Sequence, residues 1–519
     1  MRKMVKFLSI LVVVFMVATL AAACGRSSST NDDAASTAGK DSTAATSTAA
    51  APALKKVPLI IMVAGTRPKQ QDEVLANLNK VTENELNMDL KVNYIEWGDY
   101  INQVKLKSAG GEEFDIFLSF FSELAGNISR KQCIDLNDLL GQYGPDLKAQ
   151  IPQNLWDTLT VDGKIYGIPA VYAMTEMGRG FLVRKDLRLK YNLPEITDLA
   201  SEEKFLDTIA KNEPSIIPFL GTALDTPVIC DKDSIGHSIY TFGPATLLYV
   251  NEDVRPLKVE NYLKTDIWKK VWAEDIKAYE SGWFEKDILS DTDRDGKFIA
   301  GKAAAMAGDL YNINDRLNAL KKNVPDADIE LAIINKEGTW QNIGPVNNFG
   351  MISSTSRNPE RAMMFMNWLR KSQENYDLYM LGIEGVTYNM AGDKAEVPAG
   401  IDPTDKFAPT PWFTMHFPYL KLWTTDSPAY IDALNFWNSL KPESTPLQTF
   451  SYSSDNVSAE KAAIEKIGTD EVGPLQVGML KAQADYEKVL ADLDKAGMQK
   501  VIEDAQKQID AFVAKNNIK

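Results

Sequence analysis

Val57 to Gly65, VPLIIMVAG, is almost continuously apolar and closes on glycine, the pattern of a strand buried on both faces of a parallel sheet. Val74, Leu78 and Val81 follow at helical spacing, MDLKVNYIEW (Met88 to Trp97) alternates as a strand does, and a second helix covers Tyr100 to Ala109. After the break GGEE comes a third apolar strand, FDIFLSF, from Phe114 to Phe120. Strand and helix in alternation with short turns predict right-handed crossovers and an open parallel sheet. Ligands of such sheets bind beyond the carboxyl ends of the strands, here Gly65 to Arg67, Trp97 to Tyr100 and Phe120 to Glu123.

Farther along, Val161 to Leu187 pairs a hairpin turn at Asp162-Gly163 with a strand interrupted by Pro169, which suits a crossing from one lobe to another. Helices and strands alternate again to about Ile343, the expectation for a second α/β lobe. Gly344 to Lys371 reads as a short strand and then a helix opened by Asn358-Pro359, with proline at an early helical position. Near the C-terminus Tyr486, Val489 and Leu493, then Met498, Val501, Ile502, Ile509 and Phe512, keep helical spacing on either side of Gly497, predicting two packed helices.

A length of 519 residues exceeds one ordinary core, so two or more domains are expected. The formal net charge of −15 comes without basic runs, which argues against a nucleic-acid partner. At the start, Arg2, Lys3 and Lys6 precede an apolar run from Phe7 to Leu20. That run falls short of the roughly 20 residues of a membrane span and suits an export signal over residues 1–23. AAAC then resembles the lipobox of bacterial lipoproteins, which implies a diacylglycerol on Cys24; the alternative is an ordinary secretory signal cut near Ala23. The Ser, Thr, Ala and Gly residues that follow, to residue 54, have nothing to bury and read as a flexible tether. Two acyl chains on Cys24 would hold the protein at a membrane without spanning it.

In this order the lipobox and tether, EEFDIFLS (Glu112 to Ser119), VDGKIYGIP (Val161 to Pro169), GKAAAMAGD (Gly301 to Asp309), NPERAMMFMNWL (Asn358 to Leu369) and GIEGVTY (Gly382 to Tyr388) resemble the family 1 extracellular solute-binding proteins of ABC importers, the group containing maltose-binding protein. The last helices resemble a C-terminal domain of unknown function found on a subset of these lipoproteins. The resemblance implies a two-lobed periplasmic-binding-protein-like fold of type II, class α/β. Each lobe would be an open, mostly parallel sheet with flanking helices, joined by a hinge. Lobe I would take residues 55–170 plus about 344–381. Lobe II would take about 171–343 plus 382–519, with the C-terminal module at about 445–519. The implied function is capture of a carbohydrate, an oligosaccharide above all, in the interlobe cleft and delivery to ABC permease subunits with their ATPase. No catalysis and no cofactor are implied, and the protein would be a monomer, lipid-anchored to the outer face of the bacterial cell membrane. Under this lobe assignment Cys133 and Cys230 fall on opposite sides of the hinge, favouring buried free thiols over a disulfide.

A sugar ring offers an apolar face and a hydroxyl rim, so it needs flat aromatic surface beside carboxylates, amides and Arg donors. The strand ends supply both in Arg67, Trp97, Asp99, Phe120, Phe121, Ser122 and Glu123. Phe120 and Phe121 cannot both face a cleft on a strand of period two, so one is expected in the core. The resemblance points to Phe120, Glu123 and Tyr311 as ligand contacts, and adds Asp309, Tyr172 and Tyr388.

One motif suggests metal instead. DTDRDGKFIAGK places Asp291, Asp293 and Asp295 before Gly296, as a calcium loop begins, but its twelfth position is Lys302, where a bidentate acid is required. The family reading makes it a polar turn opening a short helix, with GKAAAM running as a strand toward Asp309 and Tyr311. Two other functions compete: an exported carbohydrate-active enzyme with a carboxylate pair, and a surface lipoprotein that captures peptide or polymer without an importer. Against the enzyme, His237 and His416 form no zinc-type pattern and no G-x-S-x-G turn is present.

Overall fold

The computed structural model describes residues 55–172, 179–221, 236–242, 247–341 and 346–518. The export-signal run, Cys24, the tether and Cys230 lie outside them. Among the described residues no helix is long and apolar enough to cross a membrane.

The first sheet starts with β1 (Val57–Ala64), β2 (Met88–Ile95) and β3 (Ile116–Phe120). β1 pairs in parallel with β2 from Val57↔Met88 to Ala64↔Ile95, and with β3 at Ile61↔Ile116. The helix between β1 and β2, Gln71–Leu86, buries Val74 and Leu78 against the sheet and ends on Asn87 in the left-handed region, φ 52°. β2 stops earlier than its alternation suggests, and Trp97 is the first residue of the helix Trp97–Ala109. Asp99 in the first turn favours that start, because a carboxylate there faces the positive end of the helix dipole. Hairpin β4 (Thr160–Val161) and β5 (Lys164–Ile165) turns on Asp162 and Gly163, both at positive φ, as a two-residue turn of the mirror-image type requires. β6 (Ile168–Pro169) then leads out of the sheet.

The second sheet has the order β13-β7-β12-β8, with β7 at Arg179–Arg184, β8 at Ile217–Leu220, β12 at Ala303–Asp309 and β13 at Ile329–Ala332. Between β8 and β12 the chain makes a separate antiparallel sheet of β9 (Ile239–Thr241), β10 (Leu248–Asn251) and β11 (Val259–Asn261). Finally β14 (Asn348–Ile352) returns to the first sheet, whose order is β2-β1-β3-β14-β6. The sheets are less parallel than expected. β14 runs antiparallel to β3 and β6, and β7 antiparallel to β12 and β13, leaving β12–β8 as the parallel pair of the second sheet. Both exceptional strands are entered from the other lobe, so they meet their sheets from the opposite end.

The first lobe's core gathers Leu59, Ile61, Val63, Phe117 and Phe349 with Phe365 and Leu369 of the helix Pro359–Lys371. Each such side chain contributes about 1.5–3 kcal/mol on burial. Phe413, beyond Leu381, is also fully buried in this core. The chain passes back to the second lobe at Met415–Phe417, where it runs beside the first crossing: Val171 N–H donates to Met415 O at 2.8 Å and Phe417 N–H to Val171 O at 2.8 Å. The C-terminal helices Gln483–Lys495 and Met498–Asn516 break at Gly497, φ 99°. They do not extend the second lobe's core. Val489, Leu493, Val501 and Ile509 form a core of their own with Leu248, Val250, Val259 and Trp268.

Cys133 is a buried free thiol, and burial pushes its pKa up to about 12, so it is unreactive at neutral pH.

Candidate functional site

The parallel register ends β1 and β2 together, and Gly65 N–H donates to Ile95 O at 2.9 Å. Gly65 stands at φ +126°, and a Cβ there would come within 2.8 Å of Thr410 Oγ1 and 3.7 Å of Trp97 Nε1. A glycine thus lets the segment 410–412 close over the strand ends, where Thr410 Oγ1 donates to Ala64 O at 3.0 Å. This brings Trp412, absent from the sequence-derived set, into the site.

Trp412 joins rings from both lobes. It stands edge-on to Trp97, centroids 5.7 Å apart, and edge-on to Tyr311 at 6.1 Å. Trp97 continues to Phe120 at 6.2 Å, and Tyr311 to Tyr172 at 5.8 Å. Phe120 ends β3, Trp97 opens its helix, Tyr311 follows β12 in a short turn and Tyr172 lies just beyond the Pro169 crossing. Edge-on aromatic pairs add roughly 0.5–1.5 kcal/mol beyond their area, so the run is self-supporting. Even so, Trp97 keeps 47% of its surface exposed.

Polar groups fix these rings. Tyr172 Oη donates to Trp412 O at 2.7 Å and accepts from Asn348 Nδ2 at 3.4 Å. Burial raises the pKa of both Tyr172 and Tyr311, so both phenols keep their protons at neutral pH. Asp309 acts within its own turn. Its carboxylate accepts from Tyr311 N–H at 2.9 Å and Asn312 Nδ2 at 2.8 Å, capping the turn that presents Tyr311.

The remaining expected residues divide. Asp99 is exposed in the first helical turn. Glu123 lies between Lys105 at 3.0 Å and Arg130 at 3.4 Å. Ser122 is exposed beside it, and Phe121 is half-buried against the first lobe's core with its N–H on Asn347 O. Neither phenylalanine is fully buried, because the strand's alternation ends at Phe120 and Phe121 starts a turn. Arg67 is exposed and ion-paired with Asp72. Tyr388 belongs to a separate small cluster with Leu381 and Ala395. A signal for Trp412 did exist: APTPWF, an aromatic behind two prolines, marks a ring held by a rigid loop. What the sequence could not show was where that loop lands.

The acids of the calcium-like stretch are held by local pairing. Asp291 is bound by Lys297 at 3.2 Å, Lys297 also holds Glu285 at 2.6 Å, and Asp295 pairs with Arg316 at 2.8 Å. Among the described residues no His, Cys, Asp or Glu cluster is placed to hold a metal. The stretch instead opens the helix Arg294–Ile299 and feeds β12.

Residues 75–398 match the model of the bacterial extracellular solute-binding proteins. The chain belongs to that family. Residues 446–514 match a domain of unknown function. A carbohydrate ABC transporter substrate-binding protein of Streptococcus pneumoniae is 27% identical over 332 residues, 62% of this chain, and the match spans 63% of that relative's length. Among solved structures, the N-glycan transport solute-binding protein NgtS of S. pneumoniae aligns with a TM-score of 0.70 and 22% identity, over 88% of this chain and 99% of its own. Its complex with Man5GlcNAc aligns at 0.66 and 23%, over 90% and 100%. A solute-binding protein of Bifidobacterium longum infantis that binds HMO aligns at 0.61 and 18%, over 88% and 99%. These likenesses establish the fold as the two-lobed type II class of solute-binding proteins.

Proposed function

We propose that this family member is the substrate-binding component of an ABC importer that captures an oligosaccharide between its lobes. The observation that carries the reading is the run of rings Phe120, Trp97, Trp412, Tyr311 and Tyr172, because it draws on both lobes and on the crossing segments. The exposed ring of Trp97 and the half-buried rings beside it offer flat apolar surface suited to the faces of sugar rings. Asp99 and Ser122, exposed alongside, and Glu123 between its cations supply acceptors for hydroxyls. A ligand that touches both lobes binds the closed form best and shifts the hinge toward it. The carbohydrate transport and glycan complexes of the relatives named above agree with this class of ligand.

Delivery requires that the protein stay near its permease. Lipidation of Cys24, with the following residues as tether, meets that need. Cys24→Ala is expected to release the protein into the culture medium, and retention of that variant in the membrane fraction counts against the anchor.

A thermal-shift screen of the purified chain over N-glycan fragments, milk-type oligosaccharides, maltodextrins and uronate oligomers tests the ligand class, since a ligand of the folded state raises the melting temperature. Analysis of each mixture for cleavage products separates capture from hydrolysis. Melting shifts confined to peptides, or products accumulating with time, defeat the reading.

A further inference from the structure

The C-terminal module is joined to its surroundings in two different ways. Toward the second lobe the joint is apolar. Leu447, Phe450, Val457, Leu475, Val489 and Val501 share a core with β10, β11 and Trp268, and Trp268 lies on the helix Asp266–Glu280, whose Ala278 sits in the second lobe's own core. Gln506 adds a reciprocal pair of hydrogen bonds, accepting from Val259 N–H at 2.8 Å and donating to Leu257 O at 3.0 Å.

Toward the first lobe the joint is polar and half-exposed. Asp455 uses both carboxylate oxygens, accepting from Arg130 Nη1 at 3.1 Å and from Ser129 Oγ at 2.6 Å. Ser451 Oγ donates to Phe121 O at 3.1 Å and accepts from Ala125 N–H at 3.3 Å. At a separate point Lys515 pairs with Asp162 of the β4–β5 turn. The gripped segment, Phe121 to Arg130, is the continuation of β3 just past Phe120. Gly126 makes room for the grip, since a Cβ there would lie 2.7 Å from Arg130 Nη1.

We infer that this module is an interlobe clasp: fixed to the second lobe through a core, it holds the first lobe by breakable polar contacts and so sets how far the cleft opens. Exposed ion pairs are individually weak, which is what a joint that must open and close requires; a buried apolar contact would lock it. Arg130 is shared, because Glu123 also lies 3.4 Å from its Nη2. A ligand hydroxyl that engages Glu123 leaves Arg130 to Asp455, so capture tightens the clasp. In that last respect the proposal rests on the solute-capture reading.

The test uses the full chain with spin labels at Leu106→Cys and Leu189→Cys, exposed positions on the first and second lobes, read by pulsed dipolar spectroscopy without ligand. Asp455→Arg, and separately Ser451→Ala with Asp455→Ala, are expected to lengthen and broaden the interlobe distance. Adding Arg130→Asp to Asp455→Arg is expected to restore it, which excludes unfolding as the cause. For a ligand found in the screen, the opening variants are expected to bind about threefold to tenfold more weakly, as the competent closed fraction falls. An interlobe distance unchanged in both opening variants overturns the clasp. A changed distance in a protein that binds no oligosaccharide leaves the clasp standing and sinks the substrate reading instead.

Discussion

The ring of Trp412 stands edge-on to that of Trp97, centroids 5.7 Å apart at 81°, although the two residues are separated by most of the chain. Trp412 belongs to the last segment before the return crossing and Trp97 to the first turn of an early helix. Their pairing makes one aromatic wall from parts that the sequence keeps far apart.

Trp412→Ala is therefore expected to weaken oligosaccharide binding by about tenfold to a hundredfold, in the range of a central aromatic contact. Trp97→Ala should do the same with little loss of stability, because nearly half of that ring is already exposed. Calorimetric titration of each variant decides it, and unchanged affinity in both removes the wall from the site.

Tyr172→Phe removes one hydroxyl and strands two groups, the Trp412 carbonyl and the Asn348 amide. The expected cost is about 1 kcal/mol of stability, read as a lower melting temperature. Affinity should fall as well, since Trp412 loses the bond that holds its backbone.

Gly65→Ala combines φ +126° with a 2.8 Å approach to Thr410 Oγ1. Strain of this kind costs on the order of 1–3 kcal/mol. The companion variant Thr410→Ala removes the clash but leaves the strained φ, so it should recover part of the loss in a denaturant titration and not all of it.

Glu252 is buried near the module's first residues, where its Oε1 accepts from Leu447 N–H at 2.6 Å. Burial raises its pKa to about 7 from an ordinary 4.5. Between those two values the folded protein binds the proton that the unfolded chain has lost, so this group's contribution to stability falls as pH rises from 4.5 to 7. Glu252→Gln should remove that dependence and raise the melting temperature at pH 8 more than at pH 5. Parallel pH–stability curves for the variant and the parent contradict it.

Lys297 sits between Glu285 and Asp291. Lys297→Met strands two carboxylates that have already given up part of their hydration, so it should lower the melting temperature, while millimolar calcium leaves the parent's melting temperature unchanged. A calcium-induced rise in the parent, abolished by Asp293→Ala, would support the metal reading instead.

The sequence by itself determined the elements that depend on near neighbours. An apolar run closed by glycine becomes β1, Asp162-Gly163 becomes a hairpin turn, Asn358-Pro359 opens a helix and Gly497 divides the last two, because propensity and periodicity act over a few residues. Strand ends pointed to Trp97 and Phe120, which are visible as pattern, whereas Tyr311 and Tyr172 came with the family resemblance. Tertiary structure decided the rest. It set the direction of β7 and β14, which depends on the lobe each strand arrives from, and placed Phe413 in the first core with Trp412 over Gly65. It neutralised Asp291 and Asp295 with Lys297 and Arg316. It gave the C-terminal helices a core of their own and a polar hold on Phe121 to Arg130. Each of these outcomes is a contact between segments remote in sequence, and local periodicity carries no information about which remote segment a side chain will meet.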